Sequence, residues 1–252
     1  MCSAKRIAIF NISNLKNVYC SSKNEGLNHI DDMRVFTSYN PTDYWIHQGR
    51  TYKERFNYNK EFRLQEQMLS SYLKNVSPKF KSVLEIGCGF GRITKLILSN
   101  HPDVQKYLAI DLSPHQICNA RQYVRSGIDI KKRRDIDLSF VVSDIQSLVL
   151  SEKYDLVLAV EVLLHILPSE IKEVIIKLVN LSKMHTINVD YYEENMTRLA
   201  PHNFLHEYQK IYNEIPSVVE VNRIAIKKSG LFAVNTRQFI FHATKAKIMT
   251  KS

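Results

Sequence analysis

A short apolar run, Ser82 to Ile86, breaks into glycine at every second position: Gly87-Cys88-Gly89-Phe90-Gly91. No other feature constrains the fold as much. Five residues are too few for a stable helix, and an unbroken apolar run fits a strand buried on both faces. The glycines let the backbone turn sharply and approach a ligand closely. After Pro78 such runs alternate with helical patterns. Helices are predicted at Arg92 to Ser99, Pro114 to Arg125 (Ser113 as N-cap), Ser169 to Leu181 and Asn203 to Glu214. Strands are predicted at Tyr107 to Ile110, Leu138 to Val142, Tyr154 to Val160 and Met184 to Asp190. Two last strands, Val218 to Ile226 and Phe232 to Ala243, have only a turn between them. The expected fold class is α/β: a doubly wound, mostly parallel seven-stranded sheet with an antiparallel C-terminal hairpin.

The region before Ser77 is polar and aromatic, with helices expected at Asp43 to Phe56 and Lys60 to Leu73. This divides the chain into an N-terminal helical extension, 1–76, and a catalytic-type domain, 77–252. Residues 1–40 stay ambiguous. Composition adds exclusions. With 252 residues and 44% apolar content the chain can bury a core. No apolar run nears the roughly 18 residues of a membrane helix. Neither a secretory leader nor a CxxC pair is evident, so a cytoplasmic location without structural zinc is expected. The net charge is +10. Lys131-Lys132-Arg133-Arg134 and a C-terminal tail free of acids could meet nucleic acid or simply be solvated.

In a parallel sheet, ligands sit beyond the carboxyl ends of the strands. The informative residues are therefore those just past each strand. The second predicted strand ends in Asp111, which lies 20 residues beyond Gly91 and can accept both hydroxyls of a ribose. The third runs into Asp144, which can accept an adenine amino group. The fourth runs into Glu161-Val162-Leu163-Leu164-His165. The glycine spacing is GxGxG and not the GxGxxG of a dinucleotide fingerprint.

Four stretches, VLEIGCGFGRIT, LAIDLSPHQICNAR, VVSDIQSL and YDLVLAVEVLLHI, together resemble class I S-adenosylmethionine-dependent methyltransferases, over somewhat under half the chain. The resemblance implies a Rossmann-like methyltransferase fold and S-adenosylmethionine as cofactor. It implies that Glu85, Gly87, Cys88, Gly89 and Gly91 hold the methionine part, that Asp111 binds the ribose and that Leu112 packs on adenine. Asp144 and Ile145 meet the adenine edge, while Glu161 and Val162 lie beneath the methionine. The stretch around Trp45 also resembles the N-terminal cover of such domains, with Tyr52 and Arg50 toward the cofactor.

Methyl transfer needs alignment and, for a hydroxyl or protonated amine, a base. His165, His202 and His206 are the candidates. The two later histidines share a face if a helix begins early enough. No third ligand accompanies them, so no metal is expected. The leading expectation is an enzyme acting on an O or N atom of a small molecule. RNA or protein acceptors, and a cofactor-binding partner without chemistry, remain the alternatives.

Overall fold

The computed structural model describes residues 39–127, 136–192, 200–230 and 233–246. The Lys131–Arg134 block, most of residues 1–40 and the last residues of the basic tail lie outside them. Helices α1 (Pro41–Gln48), α2 (Tyr52–Arg55) and α3 (Lys60–Asn75) precede strand β1 (Ser82–Ile86). Then follow α4 (Arg92–Asn100), β2 (Lys106–Asp111), α5 (Pro114–Gly127), β3 (Asp137–Val142) and β4 (Tyr154–Val160). The chain closes with α6 (Ile171–Leu181), β5 (Ser182–Tyr191), α7 (Tyr208–Asn213), β6 (Val218–Lys228) and β7 (Val234–Lys245).

The seven strands form one sheet in the order β3-β2-β1-β4-β5-β7-β6. Strands β1 to β5 pair in parallel, and β7 runs antiparallel between β5 and β6. This is the doubly wound sheet with a reversed hairpin that the sequence predicts. The chain order reverses between β1 and β4, which is where a crevice opens in sheets of this kind.

Alternation sorts the strand side chains to two faces. Val83, Tyr107 and Leu158 pack with Leu69 and Leu73 of α3 and Ile97 of α4. Leu84, Ile110 and Val157 pack with Ile175 and Leu178 of α6 and Tyr208 of α7. Each fully buried Leu or Ile contributes roughly 1.5–3 kcal/mol. No helix among the described residues is long and apolar enough to cross a membrane.

Two helices depart from expectation. The one predicted over 43–56 is broken after Gln48. Gly49 is buried, and a Cβ there would stand 2.2 Å from Ser113 Oγ, so the chain turns where it meets α5's cap. The one predicted over 203–214 begins only at Tyr208. The Phe204 N–H donates to the Leu164 carbonyl at 2.7 Å, which draws residues 203–204 across the β4 loop instead of into a helix. His202 and His206 therefore do not share a helix face.

Candidate functional site

A cavity of about 370 Å3 opens at the carboxyl ends of β1, β2, β3 and β4. Its floor is the loop after β1. The Cys88 N–H donates to the Ile110 carbonyl at 2.9 Å, and the Gly89 N–H donates to Asp111 Oδ2 at 2.8 Å. The Ser113 N–H donates to Asp111 Oδ1, also at 2.8 Å. One carboxylate thus ties the glycine loop to the tip of β2. Burial pushes Asp111 up to about 6, against the pull of those two backbone donors. Gly87 takes φ +65, and a Cβ there would lie 2.5 Å from Val162 Cγ2. Gly91 does not line the cavity. It caps α4 at φ +89, where a Cβ would lie 2.9 Å from Val124. Glu85 is 2% exposed and accepts from the Thr94 and Tyr107 hydroxyls; burial pushes it up to about 7.

Leu112, Asp144 and Ile145 line the same end of the cavity. So does Gln116, which sequence reasoning passed over. It is 4% exposed, and its Oε1 has no hydrogen-bond partner. A glutamine inside an amphipathic helix pattern gives no signal that it faces a ligand.

Beyond β4 the polar groups are tied together. Glu161 takes φ +57, a conformation costly for a non-glycine residue. Its Oε1 accepts from Gln238 Nε2 at 2.6 Å and its Oε2 from Arg92 Nη2 at 3.4 Å. Arg92 also pairs with Glu66 at 3.0 Å and sits over the Phe62 ring. Gln65 bridges Arg92 to Gln238, at 2.8 Å on each side. Burial raises Glu161, and the Arg92 charge opposes the shift. Arg92 was legible as the residue opening the helix after Gly91. Gln238, on the last strand, was not. Tyr52 lines the cavity, and burial, then the Glu161 charge, push its hydroxyl up to about 12. Arg50 is exposed and lies outside the cavity lining, because the helix break turns it to solvent.

The far end is built of rings. Trp45 packs 4.4 Å from His165, centroid to centroid, and 6.0 Å from His202. His202 stacks on Tyr44 at 4.8 Å. His165 Nδ1 lies 3.1 Å from the His202 carbonyl. A carbonyl only accepts, so Nδ1 carries the hydrogen and Nε2 is left with a lone pair. Burial holds His165 down to about 3, so the ring is neutral at physiological pH. His206 departs from expectation. It is 5% exposed, does not line the cavity, and uses Nε2 on the Ile166 carbonyl at 3.1 Å. The extended path of residues 203–207 aims it under the β4 loop. No group of three metal-ligating side chains occurs among the described residues.

Residues 83–185 match the family model of a methyltransferase domain. The malonyl-[acyl-carrier protein] O-methyltransferase of Acetivibrio thermocellus is 32% identical over 106 residues, 41% of this chain and 34% of that one. The enzyme of the same name from Anoxybacillus flavithermus is 29% identical over 117 residues, 46% of this chain and 41% of that one. The chain thus spans well under half the length of these curated relatives. Among solved structures, the N-methyltransferase NodS from Bradyrhizobium japonicum, in complex with S-adenosyl-L-homocysteine, superposes with TM-score 0.60 at 20% identity, covering 82% of this chain and 99% of that one. Magnesium protoporphyrin IX methyltransferase from Synechocystis, with the same product bound, gives 0.59 at 14%, covering 82% and 100%. At such identities these two likenesses speak for the fold.

Proposed function

We propose that this chain, whose residues 83–185 match a methyltransferase domain, is a class I S-adenosylmethionine-dependent methyltransferase that methylates an O or N atom of a small molecule. The observation that carries the reading is the single cavity. A carboxylate-and-glycine floor and a ring-lined end with a neutral imidazole share one space, partly roofed by α1 and α2.

The residues fit the donor. Asp111 sits where a ribose could bridge its oxygens, and Gln116 Oε1 is a buried acceptor without a partner, on the side of Asp144 and Ile145. Gly87 leaves the space that a side chain would fill against Val162. When bound, S-adenosylmethionine supplies a methyl group on a sulfonium and leaves as a thioether, its S–C electron pair returning to sulfur.

The chain's own residues bind, orient and exclude water. Trp45 and His202 wall the acceptor's place, with Tyr44 stacked on His202. His165 Nε2 accepts a hydrogen bond from the acceptor's O–H or N–H and so aims its lone pair at the methyl carbon. A neutral ring suits a place beside a cationic sulfur. Its weak basicity fits an orienting group better than a resting-state base. As a new O–C bond forms, the proton on the alkylated oxygen becomes strongly acidic and passes to Nε2, then to water; a methylated amine keeps its proton as an ammonium until solvent removes it.

The test is calorimetric titration with S-adenosylmethionine, S-adenosylhomocysteine and NAD, followed by methyl-label transfer to metabolite pools and RNA. Micromolar binding of the two sulfur compounds and none of NAD is expected, with label entering the small-molecule fraction. Label in RNA alone would shift the acceptor class. Absence of sulfur-compound binding would overturn the reading.

A further inference from the structure

Resting on that reading, we propose that Trp45 and Asn203 select the acceptor, and that it is a neutral ring-bearing hydroxyl or amine and not a carboxylate. Among the described residues, two polar atoms at the ring-lined end have no partner within hydrogen-bond geometry, Trp45 Nε1, a donor, and Asn203 Oδ1, an acceptor, although the Asn203 side chain comes near enough to His165 to favour its protonated form. Both residues line the cavity, and Asn203 lies beside His165. Both atoms are also shut off from water. Leaving a buried donor or acceptor unmade costs roughly 1–3 kcal/mol each. The rings therefore close on each other at a cost that an entering molecule can relieve by displacing Trp45. Such a molecule needs a hydrogen to give to Asn203 Oδ1 and a lone pair for Trp45 Nε1. A hydroxyl has both, and so does a neutral amine.

Charge narrows the class. Arg92 is the one cation among the described lining residues, and Glu66 and Glu161 hold it. The remaining charged groups of the lining, Glu85, Asp111, Asp144 and Glu161, are acids. His165 stays neutral through burial. Among the described residues an anionic acceptor would find no free counter-charge, and a buried unpaired carboxylate is strongly disfavoured. A malonyl group, which the curated relatives act on by name, carries such a carboxylate. The rings of Trp45, His165 and His202 that line this end suit a flat molecule instead, with Tyr44 stacked against His202 and Trp45 edge-on to both.

Trp45 is the chain's single tryptophan, so its emission reports on this end alone. The protein is first saturated with S-adenosylhomocysteine, then titrated with 4-methylphenol, 4-methylaniline, 4-methylbenzoate and the malonyl thioester of N-acetylcysteamine. The two neutral probes should change Trp45 emission saturably, with the carboxylates at least tenfold weaker. Asn203→Leu should weaken the neutral probes about tenfold and leave S-adenosylhomocysteine affinity within about twofold, which also shows that the variant folds. If Leu is not tolerated, Asn203→Ala serves. Carboxylates binding as well as neutral probes, neutral probes leaving the emission unchanged, or a variant with undiminished response would each overturn the proposal. Failure of S-adenosylhomocysteine itself to bind would instead strike the reading beneath it.

Discussion

The two ends of the cavity are built on different principles. At the donor end, backbone does most of the holding: Gly89 and Ser113 N–H groups fix Asp111, and Gly87 and Gly91 leave no room for a side chain. Everything there lies within a few residues of a strand tip. At the acceptor end, side chains from three distant segments meet: Trp45 from α1, His165 after β4, His202 and Asn203 after β5. The first arrangement leaves one buried side-chain atom unmatched among the described residues, Gln116 Oε1. The second leaves Trp45 and Asn203 with unmade hydrogen bonds. A site for an invariant donor can be prebuilt and rigid, while a site for a chosen acceptor keeps its last contacts for the guest.

The sharpest way to break this comparison is Asp111→Ala. Hydrogen bonds to a charged group are worth about 1.5–3 kcal/mol each, so losing the ribose contacts should weaken S-adenosylhomocysteine about 100-fold by calorimetry. Unchanged affinity in a variant with native circular dichroism would remove Asp111 from the donor end. Gly87→Ala comes next. A left-handed backbone and a 2.5 Å approach to Val162 should cost about 2–3 kcal/mol in thermal or urea unfolding. Val162→Ala in the same chain should restore part of it, and no loss at all would show the loop to be pliant.

His165→Ala tests the other end. Turnover should fall roughly 10- to 100-fold, with S-adenosylhomocysteine affinity within about twofold. A matching loss of donor affinity would mean that the two ends are not separable.

A smaller effect distinguishes the buried acids from the buried rings. Burial pushes Asp190 up to about 8 and Glu85 up to about 7, whereas unfolded carboxyls ionise near about 4. Across that range the folded chain holds more of these protons, so these two groups lower stability as pH rises. His206 and His242, held down to about 4, and His165, down to about 3, act the other way. Their contribution grows with pH and is complete near the unfolded value of about 6.5. Between pH 6.5 and 8 only the carboxyls remain of these groups. The melting temperature should fall across that interval, and Asp190→Asn should flatten the part above pH 7. A wild-type curve that climbs there would contradict the sign. Smallest of all, Arg50→Ala should leave turnover unchanged, and His206→Ala should cost about 1–2 kcal/mol of stability without slowing the folded enzyme.

The sheet was legible because its strands are continuous apolar runs. Tyr154 to Val160 is predicted and found over the same residues. Asp111 and the glycines were legible because a turn and its ligand-facing residues are neighbours in sequence. The helix break at Gly49 was not, because its cause is Ser113, 64 residues away. The misplaced helix start before Tyr208 has the same origin. Phe204 is claimed by the Leu164 carbonyl, a tertiary bond that outweighs local propensity. His206 was selected for its residue type and spacing, and neither reveals which way an extended segment points it.

The contact of Gly49 with Ser113 has a consequence in time. Ser113 is the same residue whose N–H rests on Asp111. On the proposed reading, the roof over the cavity and the carboxylate that would meet the ribose both rest on Ser113, so opening one disturbs the other. The expected outcome is a kcat that slows with solvent viscosity.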